Sequence, residues 1–250
     1  MEYIRVTKEN IDTEHVCCAI SNNKDCQVMA KKSWLTRRFD DGLVFLKGDV
    51  RGKFFIEYLP AEKAWAPIDA AGYMYIDCFW IAGQFKGNGY SNELLEQCIS
   101  DSRARGMKGL CCLSSQKKKM PFMSDPKYLT HKGFKVADTA RPFFSLMYLP
   151  FDETLPAPCF KPCAKEPLVT EPGYVIYYAD RCPYTAKYVP LLEETARAKG
   201  IALKTIHIET TEQAQSAPSP FTSFSLFRDG EFVTNEVLNE KRFLALAGIE

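Results

Sequence analysis

Five prolines fall between Asp152 and Pro172. No regular helix or central strand runs through such a stretch, because each proline lacks an amide donor and restricts the residue before it. The stretch reads as an extended connector. It divides the chain into residues 1–151, a linker over 152–172 and a smaller part over 173–250. The 250 residues are enough for two ordinary domains, and 46% hydrophobic against 25% charged residues suits buried cores.

The first part alternates short apolar runs with one amphipathic stretch. Strands are predicted at Tyr3 to Val6, Gly42 to Leu46, Gly52 to Leu59, Gly72 to Ile81, Gly109 to Ser114 and Phe143 to Leu149, with a helical stretch starting near Thr13. A helix over Ser91 to Arg105 puts Leu94, Leu95, Cys98 and Ile99 on one face and stops at Gly106. A short helix over Asp125 to Lys132 precedes Gly133-Phe134. A run of antiparallel strands followed by strand–helix–strand–helix–strand predicts a mixed α/β layer architecture. The second part reads as strand Tyr174 to Tyr178, helix Pro183 to Lys199, strand Ile201 to Ile208, a hairpin turning at Asp229-Gly230 and a helix over Asn239 to Ala247.

A net charge of +1 with no basic half gives no footprint for nucleic acid. The N-terminus carries no pattern of a secretory signal, and no apolar run reaches the ~18 residues of a bilayer span, so a cytoplasmic protein is expected. Most of the ten cysteines, including Cys17-Cys18, Cys78, Cys98 and Cys111-Cys112, lie in apolar runs and read as small core residues.

The segment with the most chemistry joins an apolar strand to the amphipathic helix: Ile81-Ala82-Gly83-Gln84-Phe85-Lys86-Gly87-Asn88-Gly89-Tyr90-Ser91. Gly87 and Gly89 let a ligand approach the backbone, and the free amides and dipole of a helix start favour a pyrophosphate. No Gly-Lys-Ser/Thr closes a P-loop, and a third glycine at the dinucleotide spacing is missing. Two glycines alone also fit an ordinary tight turn.

Lys86-Gly87-Asn88-Gly89-Tyr90-Ser91 resembles motif A of the GNAT superfamily of N-acetyltransferases, Arg/Gln-x-x-Gly-x-Gly/Ala, with Lys86 in place of Arg or Gln and Ser91 in place of the small last residue. The flanking strand and helix, and Tyr128-Leu129-Thr130-His131-Lys132-Gly133-Phe134, follow the family's order over most of residues 1–150. The resemblance implies a GNAT-type mixed sheet with flanking helices and acetyl-CoA as co-substrate. Its pyrophosphate would rest on the amides of Lys86, Gly87, Asn88, Gly89, Tyr90 and Ser91, and its pantetheine arm along the splayed edge near Trp80 and Ile81. The acceptor would be an amine of a small molecule or peptide, attacking directly in a ternary complex.

An ammonium must lose a proton before it attacks a thioester. Asp77 is the first candidate base and Glu57 the second, although each also fits a structural carboxylate. Leu129 stands where many family members place a tyrosine acid, so Tyr128 is the candidate acid or a core residue. An acceptor site is expected from the loops after Leu59 and from Lys117 to Ser124, with Trp65, Phe122 and Met123.

In the second part, Cys182-Pro183-Tyr184-Thr185 sits between a strand and a helix, where the dipole and Arg181 favour thiolate and Asp180 opposes it. The segment resembles the active-site turn of thioredoxin-like folds, with Thr185 in place of the second cysteine and Pro220 displaced from the position facing the thiol. The whole resembles GNAT proteins carrying a YoaP-like, thioredoxin-like C-terminal domain. The alternative is a thiol-based redox or soft-metal-responsive protein using Cys182, with Cys159 and Cys163 as further thiols. A third reading is an interaction scaffold.

Overall fold

The computed structural model describes residues 1–16, 20, 22–51 and 54–249. The expectations for Cys17-Cys18, and for Gly52 as the start of a strand, lie outside the described residues.

The first strand, β1 (Tyr3–Val6), is followed not by a helix at Thr13 but by turns, in which the Thr7 amide bonds the Asn10 side chain at 2.8 Å. Helix α1 (Cys26–Arg38) begins where Asp25 accepts from the Gln27 amide at 2.9 Å. Asp25 caps the helix because its short carboxylate reaches back to a free amide of the first turn. Val28, Lys31, Trp34 and Leu35 form the buried stripe of α1.

Strands β2 (Val44–Gly48), β3 (Phe54–Pro60), β4 (Ile68–Asp69) and β5 (Met74–Ile81) follow. Helix α2 (Tyr90–Ala104) then crosses over to β6 (Gly109–Ser115), helix α3 (Pro126–His131) leads into β7 (Lys135–Ala140), and β8 (Phe144–Pro150) ends this part. The seven-stranded sheet has the order β1-β2-β3-β5-β6-β8-β7, antiparallel except for β5 and β6. The parallel pair is what α2 makes possible, because parallel neighbours need a crossover. Strand β7 has no counterpart among the expected elements: its burial is shallow, as befits a sheet edge, and its apolar signal is correspondingly weak.

The proline-rich stretch is more structured than its composition suggests. In it β9 (Cys159–Phe160) pairs antiparallel with β4, and α4 (Pro162–Lys165) starts with proline at its first position. A proline there removes no helical hydrogen bond, so the prolines limit the length of these elements rather than forbidding them. Phe160 and Ala164 are buried.

The second part contains β10 (Tyr174–Tyr178), α5 (Thr185–Lys199), β11 (Leu203–His207), α6 (Thr211–Gln215), β12 (Phe224–Arg228), β13 (Glu231–Thr234) and α7 (Glu240–Ala247). Its sheet has the order β11-β10-β12-β13, with β10 and β11 parallel. Among the described residues no helix is long and apolar enough to cross a membrane.

Three main clusters hold the molecule together. One face of the large sheet packs on α2 and α3 through Leu94, Leu95, Cys98 and Leu129. A second cluster fills the small sheet between α5 and α7. On the other face of the large sheet, Trp34, Leu35, Trp65 and Tyr75 share one core with Ala179, Ile208, Ala214, Ala217 and Phe221 of the second part. The two parts are therefore joined by buried apolar surface and not by the connector alone.

Candidate active site

Strands β5 and β6 begin as neighbours and then part. Their pairing runs from Met74↔Leu110 to Ile76↔Cys112 and stops, although β5 continues to Ile81 and β6 to Ser115. Beyond Ile76 the β5 edge facing β6 is open, while its other edge stays on β3 through Phe55↔Trp80 and Phe54↔Ile81. A bulge lies at the same place: Glu57 faces Cys78 and Tyr58 faces Ile76, leaving Asp77 as the extra residue. An inserted residue bends its strand and re-aims side chains. Tyr75, Cys78 and Trp80 then face the core shared with the second part, and Ile76, Phe79 and Ile81 the core under α2.

The wide end of this opening is the glycine-rich turn. After Ile81 the chain makes a short 3-10 turn over Gly83–Phe85, and Gly87 and Gly89 both have φ +81. Gly89 caps α2 in the left-handed region, where a side chain is strained. A Cβ added at Gly83, Gly87 or Gly89 would meet nothing within 4 Å. The corner is open.

Its amides divide into two groups. Those of Phe85, Lys86 and Asn92 bond the carbonyls of Ala82, Gly83 and Gly89 at 2.9, 3.2 and 2.8 Å. Among the described residues, the five amides from Gly87 to Ser91 have no intramolecular acceptor, as expected of a helix start and the turn before it. The cradle expected from Lys86 to Ser91 thus offers amides from Gly87 onward, with the Lys86 side chain at the rim. Tyr90 forms the inner wall, stacked on Phe54 at 4.8 Å.

Tyr128 stands beside this cradle. Its hydroxyl donates to the Ser91 carbonyl at 3.1 Å, and its ring meets Phe79 edge-on at 5.8 Å. Burial pushes the phenol above its usual range, against the opposing effect of the Ser91 bond, so it stays protonated at neutral pH.

The narrow end holds four buried charges. Lys31 donates to both Glu57 oxygens at 2.9 and 2.8 Å, with side chains 3% and 0% exposed, and lies 4.4 Å from the Trp34 ring centroid. Burial raises the Glu57 carboxyl well above the usual carboxylate range; Lys31 opposes the shift and nearby Asp77 adds to it. Asp77 Oδ1 lies 2.9 Å from an Arg181 nitrogen, and among the described residues both carboxylate oxygens are buried with no hydrogen-bond donor. Burial works to discharge Arg181, but Asp77 and its neighbours outweigh that and hold the guanidinium charged.

The expected site residues fall into two places. Gly87 to Ser91, Ile81 and Tyr128 gather at the wide end, and Asp77 and Glu57 at the narrow end, with the β5 edge between them. Lys31 is absent from the expectations, and Arg181 was expected beside Cys182 rather than here. For Lys31 a signal exists: it sits on the apolar stripe of α1, where a lysine needs a partner. Trp65, expected to line an acceptor pocket, is a core residue edge-on to Trp34 at 5.7 Å, and Met123 is buried. Phe122 is 45% exposed, at φ +63.

Cys182 is half-buried before α5, which starts at Thr185 rather than Pro183; the Thr185 hydroxyl donates to the Ala179 and Cys182 carbonyls. Arg181, expected to act on this thiol, directs its hydrogen bonds to Asp77, Trp65 and Thr222. Burial raises the Cys159 and Cys163 thiols above their usual range. Among the described residues no three His, Cys, Asp or Glu are grouped to hold a metal ion. The thiol- or metal-responsive alternative finds no support.

Residues 202–244 match the family described as YoaP-like. Over 244 residues the chain is 42% identical to the Uncharacterized N-acetyltransferase YoaP of Bacillus subtilis (strain 168), covering 97% of each sequence. A solved GNAT family acetyltransferase from Brucella melitensis, in complex with acetyl-CoA, aligns with 62% of this chain and 91% of its own at 15% identity and a TM-score of 0.40. The PaiA N-acetyltransferase of Thermoplasma acidophilum, in complex with coenzyme A, aligns with 60% and 100% at 14% identity and a TM-score of 0.42.

Proposed function

The chain belongs to the N-acetyltransferase family represented by YoaP of Bacillus subtilis, and we propose that it is a GNAT-type enzyme that moves the acetyl group of acetyl-CoA to an amine of a small molecule or peptide, by direct attack in a ternary complex. One observation carries this reading: the five unengaged amides from Gly87 to Ser91 open directly onto the free β5 edge. The pyrophosphate rests on those amides at the positive end of α2, with Lys86 at its rim. The pantetheine arm follows the β5 edge past Ile81 and Trp80 towards Asp77, a run of roughly 13 Å for four extended residues.

The acceptor gives up a proton and its nitrogen attacks the thioester carbonyl carbon. The carbonyl electrons move to oxygen and return as the carbon–sulfur bond breaks, and the thiolate leaves with a proton from an acid. Asp77, whose buried carboxylate oxygens lack hydrogen-bond donors among the described residues, suits the base, directly or through a water. Glu57, held by both its oxygens on Lys31, stands behind it. Tyr128, protonated and next to the cradle, suits the acid.

We read residues 1–151 as the acetyltransferase domain, 152–172 as the linker, and 173–250 as a thioredoxin-like domain of YoaP type. The β10–α5–β11 unit, the β12–β13 hairpin and α7 support that last reading.

The test is release of free thiol from acetyl-CoA across a panel of primary amines and peptide N-termini. Asp77→Asn is expected to lower turnover about 10²- to 10⁴-fold, the usual worth of a positioned base, with acetyl-CoA affinity within about twofold. Turnover unchanged across pH would remove Asp77 from the chemistry, and absence of thiol release with every amine would remove the activity itself. Tyr128→Phe keeps the ring against Phe79 and removes only the hydroxyl. A turnover drop of about tenfold or more at constant acetyl-CoA affinity is expected, and unchanged single-turnover rates would make Tyr128 a packing residue.

A further inference from the structure

The turn that opens α5 touches both lips of the β5–β6 opening. On the β5 side, Arg181 Nη2 donates to the Asp77 carbonyl at 3.1 Å, on the stretch of strand that β6 has left, and lies 2.9 Å from Asp77 Oδ1. Its Nη1 donates to the Trp65 carbonyl and to Thr222 Oγ1, each at 3.2 Å, and Thr222 Oγ1 itself donates to the Trp65 carbonyl. Arg181 is 7% exposed. On the β6 side, Tyr184 meets Phe122 edge-on at 6.1 Å. The loop bearing Phe122 is tied to β6, where Ser114 Oγ donates to the Ser124 carbonyl at 2.8 Å, and to the second part, where Asn235 donates to the Pro121 carbonyl at 3.0 Å.

A bulged residue is the one member of a strand whose position its neighbours do not fix. Asp77 is that residue, and among the described residues its main-chain oxygen and its carboxylate are both held by the same guanidinium. Nη2 makes both Asp77 contacts while Nη1 is anchored on the Trp65 carbonyl and Thr222, and the rigid planar group transmits that anchoring to Asp77 where a flexible ammonium would not. The Asp77 carboxylate is thereby ion-paired, while among the described residues neither of its buried oxygens has a hydrogen-bond partner.

We propose that Arg181, from the C-terminal part of the chain, is a positioning residue for acetyl transfer, holding Asp77 so that its carboxylate faces the reacting amine. The C-terminal part then completes the catalytic centre rather than accompanying it, and the Phe122–Tyr184 pair walls the acceptor side between the two parts. The proposal rests on the acetyltransferase reading and on Asp77 as base, but its structural half stands apart from both.

Two measurements on the full-length chain separate these. Amide exchange of Arg181→Ala reports on the strand without any substrate. Protection over residues 77–81 is expected to fall about tenfold while α2 and α7 keep theirs, and unchanged exchange there overturns the proposal. Thiol release from acetyl-CoA with the best amine of the panel reports on the chemistry. Turnover of Arg181→Ala is expected to fall about 10²-fold, as for a misplaced catalytic group, with acetyl-CoA affinity within about twofold and partial recovery in added guanidinium. Turnover within twofold of the parent, or a loss that guanidinium leaves untouched, overturns it. Should Arg181→Ala not fold, Arg181→Lys carries the test: it keeps the charge without the fork, and turnover equal to the parent's is the overturning result. If the parent releases no thiol with any amine, the acetyltransferase reading falls and the exchange experiment decides Arg181 alone.

Discussion

Replacing Gly89 by aspartate is expected to abolish acetyl-CoA binding, with a loss of at least about 100-fold measured by titration calorimetry. Two effects act, and they are separable. Gly89 has φ +81, a region where an L-residue costs roughly 1–2 kcal/mol, so any side chain there loosens the start of α2. That strain burdens the free and bound chain alike and lowers stability more than affinity. The carboxylate is different, because it stands among the amides that receive the pyrophosphate. Two unit charges about 4 Å apart at a protein surface repel by roughly 4 kcal/mol, and each 1.4 kcal/mol is a factor of ten. Gly89→Ala is the control: nothing lies within 4 Å of its added Cβ, so it keeps the strain and adds neither charge nor clash. An aspartate variant that binds as tightly as the alanine variant would show that no anion sits at this corner.

Lys31→Met is expected to destabilise the chain by about 3–5 kcal/mol at alkaline pH, because it leaves an ionised Glu57 buried without its cation. For a chain of this length that is a fall of roughly 6–20 °C in melting temperature. The penalty has a defined pH dependence. The Glu57 carboxyl is raised on folding, so between its unfolded and folded values the native chain holds the extra proton. Stability from this group therefore falls as pH rises through that window. Removing Lys31 takes away the effect that opposes burial and extends the window upward. Below the parent's folded value, about 7, both chains lose stability alike, so the penalty should open as pH rises above that value and be complete above the variant's higher one. Thermal unfolding of parent and variant across pH checks this, and a pH-independent difference would mean lost packing of the lysine stem instead. The double change Lys31→Met with Glu57→Leu should recover most of the loss, since an apolar pair of similar volume replaces a buried ion pair at little cost.

The parts of this molecule that were legible in advance are local. Gly87 and Gly89 announce an open helix start because left-handed geometry and missing side chains are properties of the residues themselves. Leu94, Leu95 and Cys98 announce the buried face of α2 through a spacing of three and four. The β10–α5–β11 unit and the Asp229-Gly230 hairpin are equally local. What was misplaced shows the limit of that reasoning. A helical stretch was expected from near Thr13, yet α1 starts only at Cys26, behind the cap Asp25. The proline-rich stretch was expected to be bare connector, and only its docking on β4 gives Phe160 a buried place.

The sequence by itself determined the run from β5 through α2 to β6, the open corner at Gly87 and Gly89 and the identity of the candidate carboxylates. It could not determine their partners. Lys31 reaches Glu57 across 26 residues, and Arg181 reaches Asp77 across 104. Short-range periodicity and capping act over one or two turns of chain, whereas the worth of a buried charge depends on what the folded protein brings within about 3 Å of it. The tertiary structure alone decided that Asp77 is the bulged residue of β5 and that an arginine from the far part of the chain holds it.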